Sequence, residues 1–336
     1  MKQSIIRKII NGKATLLIIL ILIVLLITYI RMPNSFTKGN AQQILSNLCF
    51  YGMFGVGVAM LLMGGGFDFA TSAHATISTL VFYKILQWIP GIPWGIAAII
   101  SIIAGALCGG VNAFLSQGIK LMPFIATIGM SSVWSGLAQW ATRGQFKSIN
   151  NPGFSAITAK CIGKTPIPWL FLFVIAVVVA YSVVLKWTRF GRSVLVCGGN
   201  PAAARLAGLN PDKIKSILYI NNGILAAVGG LIWSSQQKMY NPTGLTSLMP
   251  EMTSLTAAML GGVSFMGGSG TLGSAFMGIV LITTLSYALQ TMQLPLWFTT
   301  LVNGLLLVIA LTIDSFASKK IRKNMATAGI VMPGMR

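Results

Sequence analysis

The sequence predicts an all-α integral membrane protein of about ten transmembrane helices, with two glycine-rich helix breaks. Three observations carry this. Hydrophobic residues make up 55% of the 336 and charged residues only 8%, where a soluble domain carries about 25% charged residues. Only four acids, Asp68, Asp212, Glu251 and Asp314, are present to help cover a soluble surface. The net charge is +20, and its cations lie between apolar runs. That is how membrane topology is written; a nucleic-acid binder would instead gather them on one face among stacking aromatics. The expected surroundings are a lipid bilayer, and nucleic acid is set aside as a partner.

In chain order, Lys2, Arg7, Lys8 and Lys13 form a basic stub over 1–13, followed by an apolar run over 14–30. That run is longer than a signal-peptide core and ends at Arg31-Met32-Pro33 rather than at a small-residue cleavage site, so it reads as a retained first span. Further spans are predicted over 44–63, 71–88, 94–116, 123–141, 167–186, 216–236, 251–266, 271–290 and 296–314. Several lie near the lower limit of roughly 17 residues for crossing the hydrocarbon. With the N-terminus inside, 16 of the 24 cations fall on the cytoplasmic side, in the direction of the positive-inside rule. One transmembrane unit then fills 1–336, with a central cytoplasmic loop over 187–215 and a cytoplasmic tail over 315–336. The outer loop 142–166 holds Arg143, Lys147, Lys160 and Lys164 and no acid; it is either a translocated loop indifferent to charge or a basic surface for a partner.

The central segment cannot sit in lipid, because Arg189, Arg192, Arg205, Lys213 and Lys215 lie in it. Its chemistry spells a short helix. Asn200 suits the N-cap, Pro201 the first helical position, and Gly208 the left-handed stop. A helix this short needs a surface to dock on.

The breaks are Gly64-Gly65-Gly66-Phe67-Asp68-Phe69-Ala70 and Gly261-Gly262-Val263-Ser264-Phe265-Met266-Gly267-Gly268. Setting Gly65-Gly66 against Gly261-Gly262 also matches Phe69 with Phe265, which points to an internal duplication. Paired breaks in two halves mark a transport pathway, since irregular backbone at membrane depth needs protein or a water-filled cavity around it. The other reading is close helix packing, which Gly105-x-x-x-Gly109 exemplifies. Asp68 reads either as a cap on the third span or as part of the pathway, Glu251 opens the eighth helix in the capping sense, and Ser264 belongs to the second break. Asn47, Asn112, Trp134, Gln139, Asn222 and Asn303 are polar groups in spans that either touch a solute or bond helix to helix.

Catalysis finds little support. Cys49, Cys108, Cys161 and Cys197 are scattered, and His74 stands too isolated for chemistry, so neither a metal site nor a disulfide framework is expected. Gly268-x-Gly270-x-x-Gly273 matches a dinucleotide fingerprint without its strand or its downstream acid. No P-loop occurs.

The segment Gly191-Arg192 through Gly199-Asn200-Pro201-Ala202-Ala203 and Arg205 to Gly208-Leu209-Asn210, with the Gly65-Gly66-x-Asp68 and Leu260-Gly261-Gly262-x-Ser264 breaks, resembles the membrane subunits of bacterial ABC importers of the ribose, galactose, xylose and autoinducer-2 type. The likeness runs from about residue 36 to 314. It implies a permease of the bacterial cytoplasmic membrane with both termini inside, acting as a homodimer or heterodimer. It further implies a cytoplasmic ATPase that carries the ATP, so that the chain needs no cofactor of its own, and an extracytoplasmic binding protein that delivers a monosaccharide or similar polyol. The Gly191–Gly208 loop would be the coupling helix. Family members commonly continue the first break as Asp-Leu-Ser-Val-Gly, where this chain has Asp68-Phe69-Ala70-Thr71-Ser72, a departure that bears on the sugar more than on the mechanism. The alternative is a secondary carrier for a neutral solute.

Overall fold

The computed structural model describes residues 13–327; Lys2, Arg7 and Lys8 of the expected stub and Arg336 of the tail lie outside them. The described chain is almost entirely helical: α1 (Lys13–Arg31), α2 (Lys38–Met63), α3 (Thr71–Trp88), α4 (Trp94–Ala113), α5 (Pro123–Thr142), α6 (Pro152–Ala159), α7 (Trp169–Trp187), α8 (Arg189–Gly199), α9 (Pro201–Leu206), α10 (Pro211–Gln237), α11 (Gly244–Leu248), α12 (Pro250–Leu260), α13 (Leu272–Thr291) and α14 (Leu296–Thr327). Two short strands, β1 (Lys147–Ser148) and β2 (Met239–Tyr240), pair antiparallel and pin the loop 142–166 to the end of α10.

Helix starts follow local chemistry. Thr37, Asn151, Thr188, Asn200, Asn210 and Thr271 each accept a hydrogen bond from the backbone N–H three residues on, which satisfies a donor the helix leaves free.

The core is built on α2, which is buried from Leu48 to Met63 apart from Tyr51 and Val58, and on α10, with α3, α4, α12 and α13 against them. Helices α4 and α10 cross backbone to backbone, since a Cβ on Gly105 would meet Gly223 O at 2.6 Å; the Gly105-x-x-x-Gly109 pattern is a packing seam, as expected. Helices α1, α5, α7 and α14 expose apolar side chains such as Leu16, Phe124, Phe173 and Leu305. In water such a surface would aggregate; in a bilayer it is ordinary.

Among the described residues, six helices are long and apolar enough to cross a membrane: Lys38–Met63, Trp94–Gly118, Trp169–Trp187, Pro211–Gln237, Leu272–Thr291 and Trp297–Phe316. One sequence expectation needs correction. The stretch 251–266 is no span: α12 covers only Pro250–Leu260, and the chain reaches it from α11 through Met249, held at φ +45°. At 1.5 Å per residue α12 is about half the length needed. Pro250 explains the break, because its ring disfavours helical backbone at the residue before it. With no Gly or Pro between Asp314 and Thr327 to stop it, α14 continues to Thr327, so the first part of the expected tail 315–336 is helical.

Candidate functional site

The chain places three features around the C-terminal end of α2 and the N-terminal half of α10. The first is the break between α2 and α3. Gly65 stands at φ +70°, with the N–H of Gly65 bonded to Leu62 O and that of Gly66 to Leu61 O. The second break repeats this geometry. Gly262 stands at φ +90°, its N–H on Met259 O, and Val263 N–H on Ala258 O. Both are left-handed helix stops that glycine adopts without steric cost. The structural partner of Gly65 is therefore Gly262, not Gly261, and the sequence pairing slips by one residue. Repeated glycines made the wrong register look equally good.

Asp68 is the hub of a buried polar cluster. Its Oδ1 accepts from Ala70 N–H at 2.9 Å and from Asn112 Nδ2 at 2.9 Å, and its Oδ2 accepts from Asn222 Nδ2 at 3.0 Å. Asn222 Nδ2 also reaches Thr71 Oγ1, and Tyr219 donates its hydroxyl to Phe67 O at 2.7 Å. Asp68 thus holds the start of α3 and ties α4 and α10 to it, a capping role wider than a single helix. His74 is not isolated: its Nδ1 lies 3.6 Å from Asp68 Oδ2, and its Nε2 lies 3.1 Å from Asn112 Nδ2. Sequence reasoning missed it because one partner, Asp68, lies in the first break and the other, Asn112, on α4.

Glu251, in the first turn of α12, accepts from Ser72 Oγ at 3.1 Å. Two helix N-termini and two carboxylates therefore meet inside the protein, each acid near a positive helix end. The void between them is about 20 Å³, room for one water but not for a sugar.

The third feature joins the breaks. Gly198 and Gly199, at the end of α8, lie against Gly64–Gly65 on one side and Gly267–Gly268 on the other. Gly268 N–H bonds to Met63 O at 2.8 Å. Aromatic contact reinforces the junction, with the rings of Phe67 and Phe265 4.6 Å apart. The loop carrying Ser264 is fixed to α14, since Asp314 Oδ2 accepts from Phe265 N–H at 3.1 Å.

The central loop is two helices rather than one short one. Thr188 starts α8 and Asn200 starts α9, with Pro201 first and Gly208 left-handed at φ +78°. Ala202, Ala203 and Arg205 face outward and Ala204 inward. Leu206, absent from the sequence expectations, is 90% exposed. Gly191 and Gly198 are buried, while Arg192 is exposed. Asp212 binds Lys120 at 2.6 Å and Arg205 at 3.3 Å, which ties this loop to the end of the π-turn Phe114–Gly118 region.

The remaining polar residues scatter. Asn112 and Asn222 give their amide nitrogens to Asp68, while their side-chain oxygens have no hydrogen-bond partner among the described residues. Trp134 lies half-buried on α5, Gln139 bonds its own helix, and Asn303 sits on α14. Asn47 lines a polar crevice of about 360 Å³ at the N-terminal end of α2 and the C-terminal end of α10, with Gln42, Gln43, Gln236 and Lys238. Among the described residues, no group of three or more His, Cys, Asp or Glu side chains could hold a metal ion.

The family model for the branched-chain amino acid transport system / permease component matches residues 40–311. The L-arabinose transport system permease protein AraH of Escherichia coli is 29% identical, over 86% of each chain. The ribose import permease protein RbsC of Haemophilus influenzae is 27% identical, over 90% of this chain and 92% of that one. The autoinducer 2 import system permease protein LsrC of Klebsiella pneumoniae is 33% identical over 62% of this chain; the match spans 60% of that relative. No solved structure matches. With some four-fifths of its length inside the match, the chain belongs to the branched-chain amino acid transport system / permease component family.

Proposed function

We propose that this chain is the membrane-spanning permease subunit of an ABC importer for a monosaccharide or similar small neutral polyol. It works as one transmembrane unit beside a second permease subunit, identical or not. A separate cytoplasmic ATPase binds the ATP, a binding protein delivers the solute from outside, and both termini of the permease lie in the cytoplasm. About ten membrane-embedded segments result if α11 and α12 count as one re-entrant crossing. The repeated left-handed stops at Gly65 and Gly262 support a duplicated break motif.

The observation that carries this reading is α9. A capped helix that leaves Ala202, Ala203, Arg205 and Leu206 outward, with Leu206 90% exposed, is a docking knob without a socket among the described residues. A secondary carrier has no use for it. Gly191, Arg192, Gly199, Asn200, Pro201 and Gly208 shape and cap this knob. The crevice around Asn47 supplies amide groups suited to hydroxyls, so solute contact is assigned there rather than to Asn112, Asn222 or Trp134.

Coupling is tested by Ala203→Asp and Leu206→Asp in the assembled transporter. The buried face of α9 is untouched, so membrane insertion should match wild type. Solute uptake and binding-protein-stimulated ATP hydrolysis should fall at least about tenfold, the effect of a charge desolvated in an apolar contact. Uptake that persists without ATP and collapses with an uncoupler would establish the secondary carrier instead. Topology has its own check. In a cysteine-free background, a cysteine at Leu206 should label only from the cytoplasmic face and one at Lys164 only from outside; labelling of both from one face would overturn the orientation.

A further inference from the structure

A second crevice, distinct from the polar one at Asn47, opens between α4, α6, α7 and α10 and measures about 540 Å³. That is the size of a ligand pocket. Its wall is apolar, including Ile157, Phe173 and Ile232. The hydroxyl of Ser235 on its floor is already spent on Phe154 O at 2.8 Å, so no polar group waits for a sugar. Ile99 on α4 and Leu172 on α7 are 60% and 47% exposed, so the helices flanking the opening face hydrocarbon rather than water.

The rim has a different chemistry. Trp94 and Trp169 stand at the N-terminal ends of α4 and α7, on the same side of the molecule, as tryptophans do where a bilayer meets water. Lys160 lines the same rim and is exposed. It has no acidic partner among the described residues, and its loop, 142–166, has no acid to offer. An apolar slot open to lipid, a tryptophan pair at interface level and an unneutralised cation above it describe one ligand. A second helix from another copy would fill the slot but leave the cation unanswered.

We propose that this crevice binds an anionic phospholipid of the adjacent leaflet, one acyl chain in the slot and the phosphate on Lys160. The lipid would wedge α6 against the ends of α7 and α10. This rests on the chain lying in a bilayer and not on which solute it carries.

The test is native mass spectrometry of the delipidated full-length chain titrated with phosphatidylglycerol or phosphatidylcholine of matched acyl chains. Wild type should retain phosphatidylglycerol several-fold better. Lys160→Gln should weaken that retention about fivefold, the worth of one cation near an anionic lipid, and Lys160→Arg should restore it. Ile157→Trp, which fills the slot, should lower retention of both lipids, with thermal stability confirming that the protein is folded. Equal retention of phosphatidylglycerol by wild type and Lys160→Gln would overturn the headgroup assignment. Unchanged retention in folded Ile157→Trp would overturn the slot. A disulfide between Phe173→Cys positions of two copies, formed in membranes, would assign the crevice to a subunit interface and overturn the proposal as well.

Discussion

Asp68→Ala should nearly abolish folded protein in the membrane. The side chain is fully enclosed and accepts hydrogen bonds from Ala70 N–H, Asn112 Nδ2 and Asn222 Nδ2. Truncation takes an acceptor from three buried nitrogens, of which Asn222 Nδ2 keeps Thr71 Oγ1. At roughly 1–3 kcal/mol for each unsatisfied group, the loss is about 3–5 kcal/mol after partial relaxation, a large share of the roughly 5–15 kcal/mol that holds a typical protein together. Asp68→Asn keeps the shape and one acceptor, so it should lose less. The measurement is the yield of monodisperse protein with its melting temperature; if Asp68→Ala melts within a degree or two of wild type, the cluster does not hold α3, α4 and α10 together.

Gly198→Val should have the second large effect, and it should fall on transport as well as on stability. A Cβ there would overlap Met63 O and press on Gly64 C and Gly268 N, all backbone atoms that cannot rotate away. Overpacking of this kind costs about 1–3 kcal/mol or more. Gly65→Val adds the strain of φ +70° with Gly198 backbone 3.3 Å away, again about 1–3 kcal/mol. Gly129→Ala on α5 is the control. Nothing lies within 4 Å of its Cβ, and alanine favours helix by up to about 1 kcal/mol. Solute uptake per inserted transporter should drop steeply for Gly198→Val and Gly65→Val and stay level for Gly129→Ala. Equal uptake in all three would reduce the junction to ordinary packing.

Much of this was legible in the residues because its signals are local. Asn200, Pro201 and Gly208 announce α9 through capping and backbone preference alone, and Gly64 to Gly66 announce the first break. Non-local features were not legible. His74 meets Asp68 and Asn112 only after α3 and α4 are packed, and Gly198 meets Gly268 only through the fold. Residues 251–266 read as a span because hydropathy averages over a window. The stop at Met249–Pro250 is a matter of backbone dihedrals, and the window does not see it. Likewise a run of glycines does not reveal which one is left-handed, so the sequence alone pairs the two breaks one residue out of step.

The glycine junction also dictates an order of assembly. Met63 O, the last carbonyl of α2, finds its donor in Gly268, some two hundred residues further along the chain. Residues that leave the ribosome first thus wait in the membrane with a polar backbone group unanswered until most of the protein has been made, and such a group in hydrocarbon costs several kcal/mol. The N-terminal half is not a finished unit on its own. A chain truncated after α10 should be held by the insertion machinery or degraded, and synthesis of the remaining helices as a separate polypeptide should rescue it.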